Sequence, residues 1–312
     1  MPAYCNRVDL HCHTTASDGE LAPAELVSRA ASLGIEVLAI TDHDTTEGVP
    51  EALTAAACHG ITVVPGVEIS TLAGQEEIHL LGFFVDLRDA DLQGLLARTR
   101  QARRERAREM LSRLANLGLR VEWEQLLECT RGGGSIGRPH VAAALLQAGL
   151  VGSWDEAFDL WIGRGRPAYV ERYKLAPEDA TQMVRNAGGL CVLAHPFVYN
   201  RYGDRKASLD LRRWLPRLRE AGLEGIEVYY PNYPRRANRQ LLAFAVKFGL
   251  LISGGSDFHG GMMAGRLGTV AVPWAAWEAL ERRCRVLQAG RTSRAHAETD
   301  LPAKHAPMQV LS

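Results

Sequence analysis

Six of the ten histidines in this 312-residue chain fall on or just after segments that read as buried strands: His11, His13, His43, His79, His195 and His259. His59 sits at a helix end, His140 in a helix-rich interval, and His296 and His305 in a polar tail. One such histidine is usually a packed or surface residue; six in equivalent places share a task. Asp18, Glu68 and Asp257 lie beside the same strand ends and bring the set to nine nitrogen and oxygen donors. That is too many for one cation and suits two or three, with carboxylates bridging and neutral imidazoles completing each shell. Such mixed donors favour manganese, iron or zinc over magnesium. His11 and His13 stand two apart on an extended segment and project from one face, while Cys12 points the other way. Asp18 or Asp257 alone would read as a helix N-cap; membership of the cluster argues for ligands.

The elements that must position these residues repeat a unit. An amphipathic helix ends at a glycine, a short β-branched strand follows, and an ionisable side chain closes it. Helical spacing covers residues 22–33, 47–58, 177–187, 211–221 and 236–248, stopped by Gly34, Gly60, Gly188, Gly222 and Gly249. Strands are expected at 8–13, 35–41, 61–67, 78–85, 190–194, 225–229 and 250–253. Near-continuous apolar strands alternating with helices predict an α/β fold with a parallel sheet covered on both faces. A closed βα barrel gathers its strand ends at one active-site face. An open doubly wound sheet is the alternative, but it collects ligands at one switch point rather than from almost every strand. The interval between His79 and His195 far exceeds the roughly 30 residues of a βα step. It reads as an Arg-rich helix over 91–117 and shorter helices near Trp123, Pro139 and Ser153. Residues 96–170 are therefore expected to form a helical insert over the barrel mouth. The barrel would come from 1–95 and 171–290, and 291–312 would be a flexible polar tail.

Lys plus Arg equal Asp plus Glu at 36 each, which excludes a globally basic nucleic-acid binder. A hydrophobic content of 46% fits a globular chain with a full core. No apolar run is long enough to span a bilayer, residues 1–7 lack a signal-peptide core, and six scattered cysteines form no CxxC pair. A cytoplasmic protein with reduced thiols is expected, with no membrane partner. Arginines crowd one helix from Arg98 to Arg108, either as a solvated face or as a track for an RNA backbone. Tyr229, Tyr230 and Tyr233 follow the sixth strand, where one could stack on a base or all could pack the loop.

Five segments, Asp9-Leu10-His11-Cys12-His13, Thr41-Asp42-His43-Asp44, Gly66-Val67-Glu68, Ala194-His195-Pro196 and Ser256-Asp257-Phe258-His259, resemble in order the motifs of the PHP (polymerase and histidinol phosphatase) family. The resemblance covers about residues 7–273. It implies a distorted seven-stranded (β/α)7 barrel with a di- or trinuclear metal centre that hydrolyses phosphoesters. By that resemblance His11, His13, Glu68 and Asp257 hold a first metal. Glu68 bridges to a second, held by His79 and His195, and Asp18, His43 and His259 form a third site. Manganese is the expected metal, with iron, zinc or magnesium as alternatives. Glu68, His195 and His259 are the expected catalytic residues, the two histidines as candidate general acids.

Within the insert, Ser135-Ile136-Gly137-Arg138-Pro139-His140 and Gly165-Arg166-Pro167-Ala168-Tyr169-Val170 resemble the subgroup that includes 3′,5′-nucleoside bisphosphate phosphatases and 5′-to-3′ exoribonucleases. Ser135, Arg138, His140 and Arg166 are then expected to grip a non-reacting phosphate, as helix-start N–H groups and bidentate arginines can. The expected substrates are a nucleoside 3′,5′-bisphosphate, with pAp giving AMP and phosphate, and short 5′-phosphorylated RNA or DNA oligonucleotides. The rival readings are a histidinol-phosphate-type phosphomonoesterase, which has no use for an Arg-bearing insert, and a non-catalytic metal-stabilised binding module.

Overall fold

The computed structural model describes residues 7–74, 76–130, 134–171, 175–199, 205–260 and 266–299. Strands and helices first alternate: β1 (Val8–Asp9), α1 (Pro23–Ser32), β2 (Val37–Ile40), α2 (Val49–His59), β3 (Thr62–Ala73) and β4 (Glu76–Phe83). A helical stretch follows: α3 (Ala90–Asn116), α4 (Trp123–Glu128), α5 (Arg138–Gln147), α6 (Trp154–Glu156) and a π-helical turn, Ala157–Ile162. Alternation resumes with α7 (Pro177–Asn186), β5 (Leu190–Leu193), β6 (Phe197–Tyr199), β7 (Arg205–Ser208), α8 (Leu211–Ala221), β8 (Gly225–Tyr229), α9 (Arg235–Phe248), β9 (Leu251–Gly254) and α10 (Trp274–Thr299).

Seven strands pair in the order β1-β2-β3-β4-β5-β8-β9. The last edge returns to the first: Leu10 N–H donates to Gly254 O (3.2 Å), and Cys12 bridges Phe258 in parallel, so the barrel is nearly closed. The parallel sheet expected from the alternation is broken at β4, which runs antiparallel to both β3 and β5. Only two residues link Ala73 to Glu76, the first of them Gly74 at φ 62°. A parallel crossover needs a dozen residues or more, so the strand must double back. The reversal serves the site. His79 lies near the start of β4, yet it stands opposite Ser70, at the rim where the parallel strands end. A small ribbon, β6 with β7, also appears after His195, where no strand is expected.

Inward-facing residues change character along the strands. Phe83 and Leu81 pack inside the barrel with Leu10, Val64 and Val192; two positions from Leu81, on the same face, stands His79. On β3, Val64 gives way to Glu68 in the same alternation. α10 plugs the opposite end, where Trp277 meets Phe84 (ring centroids 5.9 Å apart) and Leu280 enters the inner core. Outside the barrel, Leu26 of α1 and Ala52 of α2 pack on Leu38 and Ile40. Val184, Trp214 and Leu241 of α7, α8 and α9 cover Leu80, Leu193 and Val228. The stretch from α3 to the π-helical turn has a core of its own around Met110, Leu114, Leu126, Leu145 and Ile162.

α10 continues past the point where apolar periodicity fades and ends at Thr299, so the first part of the expected flexible tail is helical. Its Ala, Arg and Glu residues are good helix formers and need no buried stripe. Residues 300–312 lie outside the described residues.

Candidate metal centre

All nine expected donors meet at one rim, and Glu68 is their hub. Its Oε2 lies 3.2 Å from His11 Nε2, 3.2 Å from His13 Nε2 and 3.1 Å from His43 Nδ1. Its Oε1 lies 2.7 Å from His79 Nδ1 and 2.9 Å from His195 Nε2. Asp257 Oδ1 stands 3.2 Å from His11 Nε2 and 3.0 Å from His13 Nε2. Asp18 carboxylate oxygens lie 3.3 Å from His259 Nε2 and 3.9 Å from His43 Nε2. Three sets have donor atoms all within 4.8 Å of one another: His11, His13, Glu68 and Asp257; His13, Asp18, His43 and His259; and His43, Glu68 and His79. His195 joins the last through Glu68.

The chemistry of this donor set fits divalent cations. Both ring nitrogens of His13, Nδ1 of His43 and Oδ1 of Asp18 are buried without a hydrogen-bond partner among the described residues. His13 Nε2 is close to Asp257 but lacks hydrogen-bond geometry. Buried polar atoms are costly when unpaired, and cations held beside these atoms would satisfy them.

Carboxylates and imidazoles at the rim act strongly on one another's charge. Burial works against ionising Asp18, Glu68 and Asp257, but the imidazoles around them outweigh it and hold all three carboxyls well below their usual range. Burial likewise opposes protonation of His79 and His259. Glu68 and Glu77 nevertheless push His79 up to about 9, and Asp18 and Asp257 push His259 up to about 10. For His43 burial prevails over Glu68 and Asp18, and its imidazole falls to about 3.

Several supporting residues escape a reading of the sequence. Glu227 is fully buried; its carboxylate accepts from His11 Nδ1 (3.1 Å) and from the His195 N–H (2.7 Å). A lone carboxylate in the apolar strand β8 is the signal that could have found it. Tyr230 Oη donates to Asp257 Oδ2 (2.6 Å), holding an aspartate whose φ of 49° is left-handed. Asp42 takes bonds from Thr14 N–H and Oγ1 (both 2.7 Å) and from Ser17 Oγ (2.6 Å), which shapes the loop between His13 and Asp18.

The arginine run of α3 is a solvated face only in part: Arg98 and Arg108 are exposed, and Arg100, Arg104 and Arg106 are half-buried. Arg103 is buried, with Nε 2.7 Å from Asp44 Oδ2 and an amino group 3.1 Å from Ser70 Oγ. Arg106 donates to Val170 O (2.7 Å), and Arg108 stacks 4.5 Å from the Trp123 ring centroid. The buried partners, Asp44 and Ser70, lie on distant segments that helical spacing alone cannot reveal.

Of the expected phosphate ligands, Ser135 docks the start of α5 on the loop that carries Asp18, its N–H donating to Ala16 O (3.0 Å). Its buried hydroxyl has no hydrogen-bond partner among the described residues. His140 Nδ1 accepts from Gly137 N–H (3.0 Å) and so holds the first turn of α5. Arg138 lies 3.9 Å from Glu77 Oε2 and lines a recess of about 450 Å³ together with His79 and His195. Arg166 is exposed on the turn after the π-helical segment and is not among the described residues lining that recess.

The PHP domain family matches residues 9–159. A 5′-3′ exoribonuclease of Haemophilus influenzae is 36% identical over 255 residues, covering 81% of this chain and 90% of its own length. A 3′,5′-nucleoside bisphosphate phosphatase of Chromobacterium violaceum is 34% identical over 259 residues, covering 83% and 89% respectively. A solved structure from Bifidobacterium adolescentis, described as a metal-dependent phosphoesterase, superposes with a TM-score of 0.81 at 31% identity, covering 91% of this chain and 98% of its own. With that likeness running along most of its length, and with the donors of the matched segments gathered on one barrel rim, the chain belongs to the PHP family.

Proposed function

We propose that this chain is a metal-dependent phosphoesterase that removes the 3′-phosphate of 3′,5′-nucleoside bisphosphates and trims short 5′-phosphorylated oligonucleotides from the 5′ end. One observation carries the reading: Arg138, the residue we assign as the anion anchor, lines the same recess as His79 and His195. The two curated relatives, one a bisphosphate phosphatase and one an exoribonuclease, support it. Both reactions break the same bond, between a phosphorus and a 3′-oxygen.

In this reading His11, His13, Glu68 and Asp257 hold a first divalent cation. Glu68, His79 and His195 hold a second, and Asp18, His43 and His259 a third. Manganese is the proposed ion, with iron, zinc or magnesium as alternatives. Bound cations supply Lewis acidity, which neutralises phosphoryl oxygens and acidifies water. The protein's own part is positional. Arg138 and Ser135 anchor the non-reacting 5′-phosphate and thereby select the ester that meets the cluster. His140 fixes the helix start that carries them, and Arg166 is assigned to the same phosphate from the far end of the insert. His259 and His195 are the rim imidazoles assigned to hold a proton for the leaving oxygen. Residues 96–170 act as the insert that brings the anchor to the barrel made by 1–95 and 171–290. No described helix is long and apolar enough to cross a membrane, and we assign the chain to the cytoplasm.

A side-by-side assay of manganese-loaded protein tests the reading. Bisphosphate nucleotide and 5′-phosphorylated oligonucleotide should both exceed histidinol phosphate in kcat/KM by about tenfold or more, the worth of one good anchor. Preference for histidinol phosphate, or no turnover of any of the three, overturns it.

A further inference from the structure

A second and larger recess, about 1060 Å³, opens beside the cluster. His195 and Asp257 form its inner wall, and Arg235, Arg239 and Arg266 also line it. All three arginines are exposed. The one carboxylate among its described lining residues is Asp257, already engaged by Tyr230. A chain with no net charge therefore concentrates positive charge at this opening. Arg235 and Arg239 stand in the first turns of α9, where no acidic residue offsets them. Cations at a helix N-terminus add to its positive end and cost helix stability, a placement that an incoming anion would reverse.

Aromatic rings accompany the charge. Tyr230 and Tyr233 bracket a tight turn in which Tyr233 N–H donates to Tyr230 O (3.2 Å), with Pro231 followed by Asn232 at φ 62°. Both hydroxyls are tied down, Tyr230 to Asp257 and Tyr233 to Phe197 O (2.7 Å). The two ring centroids lie 5.2 Å apart. Fixed rings beside arginines are what a single strand of nucleic acid uses, bases stacking while phosphates find cations. His195 lines both this recess and the one that holds Arg138, so the two meet at the cluster.

We infer that the second recess binds the part of a single-stranded oligonucleotide that continues 3′ of the cleaved bond. The inference rests on the phosphoesterase reading above. The 5′-phosphate sits at Arg138, the first internal phosphate at the cluster, and the following nucleotides lie along Tyr230 and Tyr233 toward the three arginines. Water adds to phosphorus, the bond to the 3′-oxygen breaks, and that oxygen takes a proton. The products are a 5′-mononucleotide and a shortened strand with a new 5′-phosphate. A nucleoside bisphosphate has nothing beyond its reacting phosphate and leaves the recess unused.

The test compares unaltered protein with an Arg235→Ala/Arg239→Ala/Arg266→Ala variant and with the matching triple Lys variant. The readouts are kcat/KM for a 5′-phosphorylated tetranucleotide and for pAp, and equilibrium binding of a fluorescent phosphorothioate hexanucleotide across a salt series. The alanine variant should lower the ratio of tetranucleotide to pAp activity about tenfold or more. It should also flatten the plot of log affinity against log salt by about 2, since each single-strand phosphate contact contributes about 0.7. The lysine variant should recover most of both. An unchanged ratio overturns the inference. So does an equal loss on both substrates, which would put the nucleoside itself in this recess. If unaltered protein cleaves neither substrate, the phosphoesterase reading fails and the inference falls with it.

Discussion

Each rim imidazole of this protein lies close to a carboxylate oxygen, and for His79 and His259 that proximity governs how metal and protons compete. His79 at about 9 and His259 at about 10 carry protons at neutral pH when no metal is bound. Both values lie above the ordinary histidine value of about 6.5. Their pairing with Glu68, Asp18 and Asp257 thus stabilises the metal-free fold fully below about pH 6.5 and is lost as pH rises through 9 to 10. A cation needs the neutral ring, so loading at neutral pH must expel protons. Calorimetric titration with manganese at pH 7, repeated in buffers of different ionisation enthalpy, should show net proton release, and no release would contradict these pairings. Glu227 holds two other rim residues from behind, the His11 ring through Nδ1 and His195 through its backbone N–H. Replacing it by glutamine should weaken metal binding about 10- to 100-fold, the usual cost of losing the partner of a ligating histidine. Competition with a chelator measures this, and unchanged affinity would remove Glu227 from the positioning role.

At the level of strands and helices, precision comes from a few pins. Asp44 accepts from buried Arg103 and from Ser70 N–H (3.0 Å), which ties α3 to the loop after β2 and to β3. Arg103→Ala leaves a buried carboxylate without its cation and should cost about 3–5 kcal/mol in urea unfolding; a loss under about 1 kcal/mol would mean that the pair merely decorates the interface. Gly255 is another pin: a Cβ there would meet His11 N at 2.4 Å. Gly255→Ala must push the His11 strand aside and should lower metal content even where the fold survives, as mass spectrometry of the purified variant will show. These pins explain what the sequence could and could not reveal. The barrel strands after β1 and their flanking helices follow from local periodicity and glycine stops, the β6–β7 ribbon does not, and the ionisable residues at strand ends are read directly. The reversal of β4 was hidden because direction depends on a two-residue link, not on strand composition. The pairings of Arg103, Glu227 and Tyr230 were hidden because each joins segments far apart in the chain. Regular β1 pairing stops at Asp9, short of the strand expected to reach His13, because the chain there turns to meet the segment around Phe258.

For the molecule as a whole, the proposed reading has the barrel supply the reactive rim and the helical stretch the anchor, so that chemistry and selection separate. Arg138→Ala should raise KM for a nucleoside bisphosphate at least about tenfold while a simple aryl phosphate changes little, because only anchoring is removed. Equal effects on both substrates would take Arg138 out of the binding role. The central claim is that nine side chains from distant segments form one multi-cation centre hinged on Glu68. The count of tightly bound divalent ions per chain, by elemental mass spectrometry after manganese loading and desalting, tests it most directly. Two or three ions in the unaltered protein, falling to at most one in Glu68→Ala with loss of turnover, is the predicted result. No bound ion in the unaltered protein, or a full complement retained by Glu68→Ala, would contradict it.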